Sequence, residues 1–311
     1  MISGIVFIIA ACLCWGAIFV IPNYLTGFGA LEITLGRYFF FGLVSLAALL
    51  AAKRHLFQRQ YWHFWPKAIV YGFFSTIGCY TGVVYCIQYA NSAVAALIFG
   101  MSPITIALCG NWIKKEYGFK GFAFPIALML LGIILVNLDA FEIKGASLPS
   151  YCLGLLAGLL SLASWTGYTI ANFHFMDKYI KSSPSEATLT NNDWVVMSGV
   201  ATLFLVFVFA CIFTDVSHFF TPSAELTTFL LGSLVQGTIC TWLAFFFWNS
   251  GNLRLPIALA GQLSIFEMIF GLLLVYLCDQ RWPLAFEFTG IFLMIFGVLA
   301  AFKTLKKFSP T

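Results

Sequence analysis

Charge is excluded from long stretches of this chain, and that exclusion limits what it can fold into. Only 9% of its 311 residues are charged and 61% are hydrophobic. The apolar residues gather into ten stretches of near-bilayer length, read as spans 3–21, 30–51, 66–89, 92–112, 121–138, 151–175, 192–213, 226–249, 256–277 and 285–303. A water-soluble chain carrying 35 Phe could not cover its surface with so few polar groups. The expected fold class is an all-α polytopic membrane protein, with the lipid bilayer as its outer solvent.

The loops are as informative as the spans. Thirteen of the sixteen Lys and Arg lie on alternate loops: Lys53, Arg54, Arg59 and Lys67, then Lys114, Lys115 and Lys120, then Lys178 and Lys181, then Arg254, then Lys303, Lys306 and Lys307. The other loops hold Lys144 and Arg281, and Arg37 lies within a span. Short cationic loops resist translocation, so the basic side is expected to be cytoplasmic, with both termini inside. The net charge of +4 records those loops and implies no nucleic-acid partner. The first apolar stretch lacks a basic n-region and runs into Trp15 without a polar break, so it is read as a span rather than a cleaved signal. No loop exceeds about 15 residues, too short for a soluble domain.

The nine Cys sit mostly inside the apolar segments, with Cys152 at an outer boundary. Scattered in this way they read as small apolar packing groups rather than a disulfide framework. His55, His63, His174 and His218 share no metal-ligand spacing with Cys or carboxylates, so neither a metal site nor a cofactor is expected. Pro22, Pro66, Pro222, Pro256 and Pro283 punctuate ends, while Pro103 and Pro125 fall inside spans and predict kinks.

The chain also repeats itself. Leu128-Met129-Leu130-Leu131-Gly132 matches Leu293-Met294-Ile295-Phe296-Gly297 at an offset of 165, which also carries Ala93, Ala95 and Leu108 onto Ala258, Ala260 and Leu273. Trp15 matches Trp165 at an offset of 150, as Gly4 matches Gly154. Residues 1–145 and 146–311 are thus expected to be two five-helix repeats. Five is odd, so the second must run opposite to the first, the inverted topology that recurs in secondary transporters around a central cavity.

These features resemble the EamA-type drug/metabolite transporter superfamily. Arg37 is similar to that family's arginine in the second helix. The run Ser92-Ala93-Val94-Ala95-Ala96-Leu97 through Ser102-Pro103 to Glu116 is similar to its small-residue, Pro-containing helix ending in an acidic residue. Ser161-Leu162-Ala163-Ser164-Trp165 resembles its aromatic sixth helix, and Phe266-Glu267-Met268 resembles a Glu-Pro pair with Met in place of Pro. Arg281 stands where Glu116 would recur, two residues after Asp279. The resemblance implies ten helices around a cavity, exporting or exchanging small metabolites such as amino acids.

Glu267 is the sharpest candidate residue, because an unpaired carboxylate midway along a span costs several kcal/mol. It reads as an ammonium ligand, a proton-coupling site or both, against a protonated packing group. Its repeat partner is Ser102, beside Pro103. Arg37 and Glu32, placed in the outer part of the second span, read as a carboxylate ligand or as a structural or gating ion pair near the interface. Asp193 reads as a helix N-terminal charge favoured by the dipole. Trp15 and Trp165 lie deep, as stacking or closing groups or as plain packing, while Trp62, Trp65 and Trp282 suit interfacial belts. Tyr80, Tyr85, Gln88, Gln236, Trp242 and Gln262 add polar or aromatic groups that line a cavity or hold helices together. Gly154-x-x-x-Gly158 and Gly78-x-x-x-Gly82 read as close helix contacts within one chain.

The expected function is secondary transport of small polar organic metabolites, amino acids or derivatives, across the bacterial inner membrane by a monomer, with protons as a possible coupling ion. No Walker A motif is present. The alternatives are uptake or exchange of a nucleoside-like metabolite, and a non-transporting scaffold. An intramembrane enzyme would need convergent His, Asp or Cys at the membrane face, which the sequence lacks.

Overall fold

With no water in the hydrocarbon core, every backbone N–H and C=O must find a partner inside the protein, and helices do this locally. The computed structural model describes residues 2–114, 123–144, 147–181, 189–215, 223–255 and 257–308, and every regular element among them is helical. Lys115, Glu116, Lys120, His218, Pro222 and Pro256 lie outside the described residues. The α-helices are α1 (Ile2–Gly16), α2 (Ala30–Ala52), α3 (Trp65–Ser75), α4 (Ile77–Tyr89), α5 (Ser92–Phe99), α6 (Ser102–Lys114) and α7 (Ala123–Lys144). They continue as α8 (Leu148–Met176), α9 (Asn191–Phe213), α10 (Ala224–Gly237), α11 (Ala244–Asn252), α12 (Ile257–Leu263), α13 (Ile265–Cys278) and α14 (Ala285–Phe308).

Among the described residues, seven helical stretches are long and apolar enough to cross a bilayer: Ile2–Tyr24, Ala30–Ala52, Arg59–Tyr89, Leu148–Ile180, Asn191–Phe213, Ala224–Asn252 and Leu259–Cys278. Three shorter apolar helices accompany them, Ser92–Ile106, Ala123–Val136 and Ala285–Ala300. Leu153, Leu156, Leu160, Phe204, Phe207, Phe292 and Phe296 stay exposed, the surface expected of a protein solvated by lipid. Trp62 and Trp282 are also exposed, the latter at 89%, as amphipathic interfacial anchors are.

Four stretches expected as single helices are interrupted. Between α3 and α4 the chain breaks at Thr76, where the Thr76 and Ser75 hydroxyls donate to the Gly72 and Tyr71 carbonyls at 2.5 and 2.8 Å. Such back-bonding competes with the helical ladder and bends it. Between α5 and α6 the break falls at Gly100-Met101, just ahead of Pro103, which has no N–H to continue the ladder. The break at Ser264, between α12 and α13, has no proline in the described chain beside it; Ser264 Oγ donates to the Gly261 carbonyl at 2.7 Å. The two breaks meet, with Ser102 Oγ 3.2 Å from Ser264 Oγ. Between α10 and α11 the helix widens into a π-turn over Thr238–Leu243, where Thr241 Oγ1 donates to the Gln236 carbonyl at 2.7 Å. Pro125 is the third described residue of α7, directly after the undescribed residues 115–122.

Small residues set the closest approaches. Gly154 packs on Tyr89 and Ala90, Gly158 on Cys86, and Gly82 on Ala157 and Ser161, so α4 and α8 meet within one chain as their spacing predicts. Gly78 takes no part in that contact and faces Phe73 on its own span. Helices α7 and α14 run antiparallel, Gly132 against Gly290 and Met294, Gly297 against Pro125 and Met129. Beyond α13, Arg281 turns back to make two bonds to the Glu287 carboxylate, at 2.6 and 2.9 Å, and that contact holds the guanidinium pKa above its usual value.

A Cβ on Gly290 would fall 2.5 Å from the Gly132 carbonyl oxygen. Gly290→Val should therefore overpack the seam and destabilise the protein by about 1–3 kcal/mol, seen as a lower thermal midpoint in detergent. Gly167→Ala, whose Cβ meets nothing within 4 Å, should hold or raise the midpoint.

Candidate functional site

The helix interruptions converge on one small cavity. It is bordered by Trp15 of α1, Arg37 and Tyr38 of α2, Ser75 of α3, Cys79 and Tyr80 of α4, Phe99 of α5, Trp165 of α8, Phe245 of α11 and Glu267 of α13. At about 30 Å³ it has space for one or two waters, far less than a ligand pocket.

Arg37 is 3% exposed and lies at the centre of the bundle. Its outer position in the sequence pointed to an interface and to Glu32; the structure corrects both expectations. Glu32 instead caps its own helix, accepting from the Gly29 N–H at 2.7 Å. Arg37 Nε donates to Thr241 Oγ1 at 2.7 Å and Nη2 to the Cys240 carbonyl at 2.8 Å. The π-turn makes these bonds available, because widening the helix takes carbonyls out of the regular ladder. Gly237 lets the turn sit directly against the Arg37 backbone. The guanidinium carbon also stands over the Tyr80 ring at 4.1 Å and near that of Tyr38 at 5.1 Å. Nη1 is buried without a hydrogen-bond partner among the described residues.

Glu267 borders the same cavity from the opposite half of the chain and is 4% exposed. Among the described residues no cation lies within 4.0 Å of its carboxylate. A buried guanidinium and a buried carboxyl group thus border one space without touching. Where both are charged, each lowers the cost of burying the other in a low-dielectric interior.

An aromatic wall completes the site. Trp15 meets Trp165 edge-on at 5.2 Å between centroids, and Trp248 and Phe245 at 5.4 and 5.9 Å. Trp165 Nε1 is buried without a hydrogen-bond partner among the described residues, a second such donor besides Arg37 Nη1. Tyr80 is fixed by donating to Gln236 Oε1 at 2.6 Å, so Gln236 supports the wall from behind.

Other expected site residues lie elsewhere. Tyr85, 37% exposed, stacks on Tyr89 away from the cavity, since it stands on the lipid-facing side of α4. Gln88 donates to the Phe28 carbonyl at the other end of that helix. Ser102 is engaged with Ser264, and Pro103 shapes the break behind it. Trp242 stacks on Phe246, and neither it nor Gln262 borders the cavity. Conversely, Tyr38, Ser75, Phe99, Phe245 and the Cys240 carbonyl are site groups that sequence reading missed. Only the Arg37-Tyr38 adjacency hinted at one of them.

Side-chain contacts tie the helices together on either side of the cavity. Towards the basic loops, Trp194 Nε1 donates to Asn172 Oδ1 at 2.8 Å, Asn172 Nδ2 to Asn249 Oδ1 at 3.2 Å and Asn191 Nδ2 to Ser250 Oγ at 2.8 Å. Asp193 caps α9 with Thr190, as its position predicts, and also pairs with Lys53 at 2.9 Å. On the other side Asn23 Nδ2 donates to Ser92 Oγ at 2.9 Å, and Phe28 stacks on Phe229 at 4.1 Å.

Comparison with known proteins agrees with this arrangement. The inner membrane protein YtfF of Escherichia coli (strain K12) is 26% identical over 318 residues, covering 97% of this chain and 95% of that protein. A protein of known crystal structure, 20% identical, superposes with a TM-score of 0.69 over 99% of both chains, so the fold is shared. Residues 2–138 match the EamA-like transporter family. This chain is therefore similar in its first part, residues 2–138, to the EamA-like transporter family, and over nearly its whole length to YtfF.

Proposed function

We propose that the protein is an inner-membrane secondary transporter of zwitterionic small metabolites, amino acids or their relatives, working as a monomer by alternating access. The observation that carries this reading is the separation of Arg37 and Glu267 across one cavity. A substrate carboxylate would engage Arg37 Nη1 and Trp165 Nε1, and an ammonium would engage Glu267, so a zwitterion satisfies both charges at once. A nucleoside carries neither charge and would leave both unpaired. The aromatic wall suits the apolar part of an amino acid.

The mechanism rests on two inverted five-helix repeats, residues 1–145 and 146–311, giving ten spans with both termini cytoplasmic. The matched breaks support this, since an offset of 165 carries Phe99, at the end of α5, onto Ser264. So does the antiparallel seam: the same offset maps the Gly132–Gly290 contact onto the Gly297–Pro125 contact. Release of the Asn172–Asn249 latch would open the site inward, and release of Asn23 from Ser92 would open it outward. The small cavity is then the closed state between the two. The name of the Escherichia coli relative supports placement in the inner membrane. Glu267 exchanges its proton with the cavity and couples flux to a pH gradient.

Flux from proteoliposomes preloaded with mixed metabolites, read by mass spectrometry, tests this. Saturable loss should be confined to compounds bearing both an ammonium and a carboxylate. Loss of the corresponding amines or acids at equal rates would defeat the zwitterion reading. Glu267→Gln should abolish pH-gradient-driven flux, and unchanged gradient dependence in that variant ends the proton-coupling idea. Tyr80→Phe, which removes a bond worth about 0.5–1.5 kcal/mol, should slow flux roughly two- to tenfold, whereas Tyr85→Phe should transport as wild type.

A further inference from the structure

Separate from the central site, a groove of about 690 Å³ lies between α3 and the C-terminal part of α8, on the side of the basic loops. Its floor is apolar, made by Ile170, Ala171 and Phe175, and it runs to Gly167, beside which a Cβ would meet nothing within 4 Å. From Gly167 to Lys178 is eleven residues, about 16 Å of helix at 1.5 Å per residue. The rim is cationic: Lys67 and Lys178 border it, and His174 lies between them on α8. No carboxylate borders the groove among the described residues; Asp177, next to Lys178 in sequence, does not reach it.

The two lysines are held rather than free. Lys67 Nζ donates to the Tyr179 hydroxyl at 3.2 Å and stands 4.4 Å from its ring centroid, with Phe64 at 5.4 Å. Lys178 Nζ lies 5.1 Å from the centroid of the same Tyr179 ring. Tyr179 thus gathers two like charges at one membrane-facing edge. Placing them together is unfavourable unless an anion joins them, and none of the bordering residues supplies one. At a bilayer interface the anion at that depth is a lipid phosphate.

We propose that this groove is a binding site for an anionic phospholipid, with the headgroup phosphate between Lys67 and Lys178 and an acyl chain along the apolar floor towards Gly167. Cationic pockets between helices at the cytoplasmic interface bind such headgroups, each lysine adding about 1 kcal/mol. The site is separate from the transport cavity, so its failure would leave the transport reading standing.

Delipidated protein titrated with phosphatidylglycerol or phosphatidylcholine, with bound lipid counted by native mass spectrometry, tests the proposal. Wild type should prefer phosphatidylglycerol, and the Lys67→Gln/Lys178→Gln double variant should bind it roughly 30-fold more weakly. Gly167→Leu, which fills the floor without changing charge, should also weaken binding. Arg59→Gln, an exposed cation on the same side that does not border the groove, should bind as wild type. Wild-type affinity in the double variant or in Gly167→Leu would overturn the proposal. So would competition by inorganic phosphate alone at equal concentration, which would mark a site for a free anion. Should the double variant not fold, the two single variants, each expected to bind roughly fivefold more weakly, serve in its place.

Discussion

A bilayer core contains no water to accept a stray backbone hydrogen bond, and the architecture of this chain follows from how that constraint is met and locally relaxed. Most of the chain complies by being helical. Departures at Thr76, Gly100, Ser264 and Thr238–Leu243 release carbonyl or amide groups from the ladder; the first three are buried in the bundle, and the π-turn buries Cys240 and Thr241 while Ile239 stays exposed. Hydroxyl side chains take up part of what is released, as Ser75, Thr76, Thr241 and Ser264 do. The Cys240 carbonyl is taken by Arg37. Irregular backbone and the polar centre are therefore one feature, because a broken helix is tolerated only where something polar faces it.

The centre itself is an electrostatic compromise. Among the described residues, Arg37 is stabilised by two hydrogen bonds and two aromatic faces, yet one nitrogen is left without a partner. Glu267 has no cation within 4.0 Å among the described residues. Direct contact between them would satisfy both and leave nothing for a ligand to do. Separation leaves each able to bind, at a cost carried by the packing of α2 against the π-turn.

Much of the fold was legible because lipid exposure forces a composition that cannot be mistaken. The spans, the loops and the cationic asymmetry follow from transfer energies that act residue by residue. The deep placement of Trp15, Trp165 and Glu267 was readable from repeat spacing and from the cost of an intramembrane carboxylate. Arg37 was misjudged because its distance along the helix from the loop implied an interface. The chain between α1 and α2 instead continues as tight turns to Tyr24, which moves the boundary outward. Tyr85 and Tyr80 were indistinguishable in sequence, since α4 is apolar on all sides and periodicity does not choose its inner face. The break at Ser264 and the π-turn had no proline to announce them.

That widened turn also sets the rotational phase of everything that follows it. In an uninterrupted helix, nine residues at about 100° each would place Phe245 half a revolution from Gln236. One extra residue accommodated in the π-turn subtracts roughly a residue's worth of that rotation. Gln236 can therefore brace Tyr80 while Phe245 faces the cavity and Trp248 meets Trp15. The span behaves as two helical screws joined out of step, and the offset between them decides which aromatic rings a substrate meets.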